Sequence, residues 1–398
     1  MSHADPPIDR LRQAVLDSAA LQARLVAIDD RDAFVAALAE IAGSLGIALD
    51  HDAAVDSVRP DPVGLARFAP ARFTQIAWPV GDWLPTAIVP GPEGAGVEWL
   101  HFGDSPLTAP FFEDSLRAAR RRPFNRWLRV RTPLVALADG APGGALAPPS
   151  GLVFHLSRCG STLVAQMLAA SPRHVVVSEA PPFDALVQLL ERQPAIPLAQ
   201  RVLLVRAMAA ALGRDRFGNR RHYFLKVDSW HTLALPLLRH AFPDTPWVFL
   251  YRDPVEILVS HQRMPGSQMV PGMMGDLFGM PDGHLLGITV YTARVLARIC
   301  DAVLAHHALG GGALIGYRDL PEAVATRILP HFGVALDPDE QAAMAAAALR
   351  DAKSPKARFA NDAAAKQREA SPAIRSAAAK YLDNRIADLD RLRLEAGG

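Results

Sequence analysis

Residues 152–172, LVFHLSRCGSTLVAQMLAASP, carry the clearest chemical pattern in the chain. An apolar strand pattern leads into SRCGST at 157–162, and apolar residues at helical spacing follow. Backbone N–H groups and the positive end of a helix dipole meet at such a turn, which then suits a phosphate-sized anion. The loop is not a Walker A motif, because it lacks the first glycine and the lysine of GxxxxGK[ST]. Ordinary helix capping is the alternative, since serine and glycine are common in a turn before a helix. The candidate anion-binding residues are Arg158, Cys159, Gly160, Ser161 and Thr162.

Residues 247–263, WVFLYRDPVEILVSHQR, contain a second polar strand end. The apolar run ends at Arg252, and Asp253 and Pro254 then begin a helix. Ser260 follows the arginine by eight residues, so the two side chains can grip another phosphate. No carboxylate stands at this strand end to hold the magnesium of a nucleoside triphosphate. The structural alternative is an arginine that caps a helix or pairs with Asp253.

For this chemistry, both polar segments must lie at the carboxyl ends of strands. Apolar runs alternate with helical patterns through the second part of the chain, which predicts a parallel sheet with helices on both faces. Such sheets bind ligands at the carboxyl ends of their strands. The predicted strands are 152–156, 174–178, 222–226, 247–251 and 313–317.

A glycine- and proline-rich stretch at 137–150 separates this part of the chain from the first. We predict a smaller N-terminal α+β domain over 1–140 and a second domain over 148–398. Acceptor docking or oligomerisation is the role expected of the first domain. Its predicted elements are helices at 9–26 and 31–46 and strands at 72–78, 85–90 and 97–102.

Composition limits the classes of protein to which the chain can belong. Half of its 398 residues are hydrophobic, and its net charge of +1 excludes a broadly basic protein that coats nucleic acid. Two cysteines, Cys159 and Cys300, exclude a disulfide framework, and no Cys/His spacing predicts a zinc site. We expect a cytoplasmic protein with no membrane span. Lys226 is the only lysine in the first 352 residues, which calls for a specific explanation.

On these two motifs the chain resembles the sulfotransferases that use 3′-phosphoadenosine 5′-phosphosulfate. SRCGST is similar to their 5′-phosphosulfate loop, with Arg158 where many members have lysine, as in the tyrosylprotein and several bacterial branches. Arg252 and Ser260 are similar to their 3′-phosphate motif. The resemblance covers roughly residues 150–365 and implies a three-layer α/β/α fold like that of P-loop NTPases.

The same resemblance implies roles for four further residues. Glu179 follows Arg158 at a spacing similar to that of the catalytic glutamate of the tyrosylprotein branch. Lys226 resembles the family's strand-end lysine, and Asp228 stands where cytosolic members have a catalytic histidine. Tyr317 resembles the tyrosine near the adenine. The late family element RKGxxGxW has no clean counterpart, but Lys356 and Arg358, within 354–367, stand in about the right place to bind phosphate.

Sulfuryl transfer requires positioning of the reactants and neutralisation of charge, and a carboxylate to take the acceptor's proton. We therefore predict a sulfotransferase that needs no metal and uses 3′-phosphoadenosine 5′-phosphosulfate as co-substrate. Arg158 and Lys226 would stabilise the leaving phosphate, with Glu179 as base and Asp228 as second choice. Three histidines are further possible bases, although a histidine in such a position is more often structural: His155, His231 and His261.

The sequence leaves the acceptor open between a small molecule, a glycan and a peptide. Residues 264–283 hold five methionines, five glycines and three prolines, which is typical of an adaptable apolar lid and equally of a surface loop. A P-loop kinase or nucleotidase and a non-catalytic module that binds adenosine bisphosphate remain as alternatives.

Overall fold

The structure is a computed structural model that describes residues 5–63, 65, 73–75, 77–79, 81–91, 94–139, 146–350 and 362–395. Lys356 and Arg358 lie outside the described residues, and so does the centre of the predicted boundary at 137–150. The predicted strand at 72–78 is described only in part. Its Thr74 forms an isolated parallel bridge with Arg131.

The first part of the chain consists of short helices and a three-stranded antiparallel sheet. The strands have the order β1-β2-β3, and the tryptophans Trp83 and Trp99 of this sheet are completely buried. Its elements are α1 (Pro7–Leu16), α2 (Ala19–Val26), α3 (Arg31–Ser44), α4 (His51–Ser57), β1 (Trp83–Val89), β2 (Gly96–His101), α5 (Phe112–Arg121), α6 (Pro123–Trp127) and β3 (Val130–Pro133).

The second part is built on a five-stranded parallel sheet with the order β5-β6-β4-β7-β8. Its elements begin with β4 (Gly151–His155), α7 (Ser161–Leu168), β5 (His174–Ser178), α8 (Pro181–Arg192), α9 (Leu198–Leu212), β6 (His222–Lys226), α10 (Leu235–Ala241), β7 (Trp247–Tyr251) and α11 (Pro254–Arg263). They continue with α12 (Ile288–His306), β8 (Gly312–Gly316), α13 (Leu329–His331), α14 (Pro338–Ala348), α15 (Ala363–Glu369), α16 (Pro372–Tyr381) and α17 (Asp383–Glu395).

Helices cover both faces of this sheet. Along β4, Leu152 and Phe154 pack into one hydrophobic cluster with α8–α12, α16 and α17. Val153, between them, packs into a second cluster with α7 and α14. This alternation is what a sheet buried on both faces requires, and it confirms the predicted three-layer α/β/α architecture. The predicted strands 174–178, 222–226 and 247–251 have the observed bounds, and the other two are displaced by one residue.

The first part packs directly on the second. A single hydrophobic cluster includes Trp99 of β2 together with Leu186 of α8 and Val205 of α9. Two arginines that follow α9 donate to backbone carbonyls of the first part. Arg214 contacts Pro79 and Gly81, and Arg216 contacts Gly103 and Ser105. The division into two domains stays a prediction, but these contacts fix the loop after β2 next to the parallel sheet. No helix in the described ranges has both the length and the apolar character needed to cross a membrane.

Candidate active site

The turn between β4 and α7 has an unusual backbone. Ser157 and Arg158 have φ values of 69° and 49°, and Gly160 has a φ of 86° and precedes the first residue of α7. A Cβ atom on Gly160 would lie 2.8 Å from Leu320 and 3.0 Å from Tyr317. Position 160 therefore requires glycine for two reasons, its positive φ and the close approach of the Tyr317 ring. The N-terminus of α7 thus follows the carboxyl end of β4 after a short turn.

The side chains of this turn divide between the core and the site. Cys159 is completely buried, and its thiol lies 3.1 Å from the carbonyl oxygen of Leu250. Burial raises the pKa of that thiol to about 11, so the thiol is protonated at neutral pH. Arg158 donates to the carbonyl oxygen of Met264 at 2.6 Å. Ser161 and Thr162 are buried at the first positions of α7.

Glu179 and Lys226 form an ion pair at the neighbouring strand ends. The parallel register pairs Ser178 of β5 with Lys226 of β6, and the backbone N–H of Glu179 donates to the carbonyl of Lys226 at 2.8 Å. Glu179 has a φ of 50°, a left-handed conformation that directs the chain away from the strand. Lys226 Nζ contacts Glu179 Oε1 and lies 3.3 Å from Ser178 Oγ. The lysine is only 1% exposed, so it is a buried ion-pair partner and not a surface lysine.

His155 is a second partner of the same carboxylate oxygen. Its Nδ1 accepts the backbone N–H of Ser157 at 3.1 Å, and its Nε2 lies 3.3 Å from Glu179 Oε1. Burial lowers the pKa of His155, so the ring is neutral and the proton is on Nε2, facing Glu179. Burial alone would raise the pKa of Glu179, but the charge of Lys226 and the contact with His155 lower it well below its ordinary range. Glu179 is therefore ionised.

Asp228 lies two residues beyond Lys226 in a different electrostatic environment. Burial raises its pKa well above the ordinary value, and the charges of Glu179 and Asp184 add to that effect. The two candidate bases are thus held in opposite states, with Glu179 ionised and Asp228 biased toward its neutral form.

Asp184, Asp228 and His231 are a possible metal-ligand cluster within the described residues. His231 is completely buried, and its Nδ1 accepts the backbone N–H of Asp228 at 3.1 Å. Its proton is therefore on Nε2, which lies 3.3 Å from Asp184 Oδ1. The backbone N–H of Asp228 already occupies one ring nitrogen of His231, and the expectation that the protein needs no metal stays a prediction.

Arg252 and Ser260 lie at the end of β7 and on α11, beside the turn of β4. Arg252 is 5% exposed, and its guanidinium carbon lies 3.8 Å from the ring centroid of Tyr317. Ser260 Oγ donates to the carbonyl of Glu256 at 2.8 Å. A cavity of about 370 Å³ opens here and is lined by Arg252, Tyr317 and Leu320 among others. Tyr317 contacts both predicted motifs, because its ring also packs against Gly160.

The first part of the chain also reaches this site. The ring of Phe111, just before α5, lies 5.2 Å from Lys226 Nζ. Thr108, in the same loop, accepts a hydrogen bond from Gln166 of α7 at 3.2 Å. No sequence signal predicted this contact, because 115 positions separate the phenylalanine from the lysine.

The methionine-rich segment 264–283 also lies at the carboxyl ends of the strands. Arg158 holds its first residue, and Gln268 donates to Ser229 Oγ at 3.0 Å. Met269 and Met274 are buried, while Met273 is 66% exposed. The segment is thus packed on one side and leaves apolar surface on the other; its role as a lid stays a prediction.

Residues 152–339 match the family model described as "Sulfotransferase family". The chain is thus similar to this family over slightly less than half of its length. The matched segment contains the β4–α7 turn, Glu179, Lys226 and Arg252, and ends before α14 is complete. A search of the curated proteins returned no significant match.

The chain also has distant structural neighbours among solved sulfotransferases. Sulfotransferase STF1 from Mycobacterium tuberculosis H37Rv is 19% identical, with 50% of this chain and 71% of that chain covered and a TM-score of 0.30. The sulfotransferase domain of the Synechococcus PCC 7002 olefin synthase is 15% identical, with 64% and 97% covered and a TM-score of 0.35. A sulfotransferase from Alicyclobacillus acidocaldarius is 14% identical, with 62% and 96% covered and a TM-score of 0.37.

Proposed function

We propose that the chain transfers a sulfuryl group from 3′-phosphoadenosine 5′-phosphosulfate to a hydroxyl or amine of an acceptor. The observation that carries the proposal is the presence of two cationic sites at the carboxyl ends of the strands of the parallel sheet. Arg158 and Lys226 stand at one, and Arg252 stands at the other, next to the 370 Å³ cavity. A donor with phosphate groups at both the 5′ and the 3′ position suits this pair of sites.

In this proposal the residues of the β4–α7 turn bind the 5′ end of the donor. Arg158, the backbone N–H groups at the start of α7 and Lys226 balance the negative charge that develops as the bond between sulfur and the bridging oxygen breaks. Ser161 and Thr162 add hydroxyl donors that hold the leaving phosphate in line. These groups supply the charge neutralisation that a metal ion supplies in many phosphoryl transfers, so we expect no metal requirement.

Glu179 is the proposed base. Lys226 and His155 both contact Oε1, and no hydrogen bond from a described residue engages Oε2. The acceptor's proton passes to Oε2 as the bond between the acceptor and sulfur forms, and adenosine 3′,5′-bisphosphate is the second product. Asp228 is the less suitable base because its environment favours the protonated form.

The test of donor recognition compares two nucleotides by titration calorimetry in the absence of magnesium. We expect adenosine 3′,5′-bisphosphate to bind at least tenfold more tightly than AMP, because AMP leaves the charged Arg252 without its phosphate. Equal affinities would contradict the assignment of Arg252 and Ser260. A strict magnesium requirement would favour the kinase or nucleotidase alternative.

The test of turnover uses donor labelled in its sulfuryl group together with a cell extract. Transfer of the label to an extract component supports the enzyme and identifies the acceptor class. If the bisphosphate binds tightly but the label reaches neither water nor any acceptor, the non-catalytic alternative is correct.

A further inference from the structure

The guanidinium of Arg252 is already occupied by two carboxylates. Its Nε lies 2.5 Å from Glu256 Oε2, and its terminal nitrogen Nη2 lies 2.6 Å from Asp362 Oδ1. The ring of Tyr317 covers its face. The arginine predicted to bind a 3′-phosphate therefore holds an anionic group that belongs to the chain itself.

The second carboxylate also holds a second cation. Lys366 Nζ lies 2.6 Å from Asp362 Oδ2, and the lysine side chain is 7% exposed. Asp362 thus bridges Arg252, at the end of β7, and Lys366, on α15. A bridging oxyanion between two nearly buried cations is also the arrangement that a phosphate would adopt.

The two carboxylates differ in how firmly they are placed. Glu256 follows Arg252 by one helical turn, its side chain is 6% exposed, and α11 fixes its position. Asp362 comes from a segment 110 residues away, and its side chain is 42% exposed. Glu256 is a permanent partner of the arginine, whereas Asp362 can leave toward solvent.

Helix capping does not explain the position of Asp362. It precedes α15 but makes no side-chain hydrogen bond to the first turn of that helix. Other aspartates that precede helices in this chain do make that bond, as Asp30, Asp253 and Asp337 show. The side chain of Asp362 is directed at Arg252 and Lys366 instead.

We propose that Asp362 occupies the position of the donor's 3′-phosphate and is displaced when the donor binds, and that Lys366 then becomes a phosphate ligand beside Arg252. This inference rests on the proposed donor. Without donor, the two cations and the two carboxylates sum to zero charge. Once Asp362 has moved away, the cluster of Arg252, Lys366 and Glu256 carries a net positive charge. The aspartate therefore keeps the empty site neutral and lowers the apparent affinity for donor.

The experiment measures the affinities of adenosine 3′,5′-bisphosphate and AMP for the full chain and three variants by titration calorimetry. Asp362→Asn removes the competing charge, so we expect the bisphosphate to bind about fivefold more tightly, the size of one partly exposed ion pair. Lys366→Gln should weaken bisphosphate binding by about tenfold or more. AMP binding should change in neither variant. Asp56→Asn, which removes an exposed aspartate paired with Arg59, is the matched control.

The direction of the Asp362→Asn effect decides the inference. Unchanged or weaker bisphosphate binding in that variant overturns it, and so does a Lys366→Gln variant that binds normally. Thermal melting of each variant, with Asp362→Ala as a second substitution, identifies any loss that comes from unfolding. Failure of the proposed donor would appear separately, as a wild-type protein that does not distinguish the bisphosphate from AMP.

Discussion

The two ends of the candidate donor site are built by different means. The end at the β4–α7 turn, which we call the strained end, has an unusual backbone. Among the non-glycine residues that the structure describes, positive φ values occur at Ser157, Arg158 and Glu179. The end at the β7–α11 junction, which we call the regular end, has an ordinary backbone. Asp253 caps α11 and Pro254 begins it.

The cationic side chains at the two ends also have different partners. Arg252 is balanced by carboxylates on two sides, whereas Lys226 shares one oxygen of Glu179 with a neutral histidine. Residues held in sparsely populated conformations cost on the order of 1–3 kcal/mol each and concentrate at sites of chemistry. In our proposal, bond breaking therefore takes place at the strained end, while the regular end only binds the donor.

Among the substitutions at the two ends, Glu179→Gln should have the largest effect on turnover. It preserves the side-chain volume but removes the proton acceptor, so we expect turnover to fall by roughly 100-fold or more with little change in donor affinity. Because the pKa of Glu179 is lowered, wild-type turnover should not fall with acid until the pH is below the ordinary carboxylate range. Rates at saturating donor across pH test both statements.

Asp228→Asn is the matched control for this substitution, since it removes the neighbouring carboxylate. A Glu179→Gln enzyme that remains active while Asp228→Asn loses activity would move the base to Asp228. Near-full activity in both variants would contradict a carboxylate base.

Arg158→Ala should have the next largest effect and a different signature. The side chain contacts the donor in our proposal, so its removal should weaken donor binding and slow turnover together, each by about tenfold or more. Arg263→Ala is a suitable control, because that arginine is half exposed and pairs with Glu369 outside the cavity lining. Loss of turnover alone, with normal donor affinity, would place Arg158 on the acceptor side.

The strained end was the more predictable of the two from sequence. Its strands are short apolar runs, and SRCGST between a strand and a helix indicates an anion-binding turn whatever the rest of the chain does. The pairing of Glu179 with Lys226 follows once β5 and β6 are neighbours in register. The sequence does not specify that order of strands, because each run is apolar enough to occupy any place in the sheet.

The regular end was predictable only in part. Arg252 and Ser260 lie on consecutive elements, so their spacing revealed them. Asp362 and Lys366 reach the arginine because α15 docks on α11, a contact between segments about 100 residues apart. The rarity of lysine that singled out Lys226 does not apply to Lys366, because four of the chain's five lysines lie between residues 353 and 380.

A substitution with a smaller expected effect tests whether the first part of the chain contributes to transfer at the strained end. Phe111→Ala removes the ring beside Lys226, and we expect kcat/KM for the acceptor to fall several-fold with unchanged donor affinity. Phe111→Tyr, which keeps the ring, should behave like wild type. Phe217→Ala is the matched control, because that 46% exposed ring contacts Arg216 at a distance from the site. An unchanged kcat/KM in Phe111→Ala would leave the first part of the chain without a role in transfer.

The smallest expected effect concerns stability rather than rate. It tests whether Asp228 is protonated where Glu179 is ionised. The pKa of Asp228 is raised in the folded protein, so between the ordinary carboxyl pKa and that raised value the folded state retains a proton that the unfolded chain releases. Wild-type stability therefore decreases as pH rises through this interval. Asn cannot ionise, so Asp228→Asn should be more stable than wild type at neutral pH. Below about pH 3.5, where this carboxyl is protonated in both states, the advantage should vanish. Urea unfolding at pH 7 and pH 3 measures the difference directly. If the variant is less stable than wild type at pH 7, Asp228 is a stabilising charged residue, and the contrast between an ionised Glu179 and a neutral Asp228 is wrong.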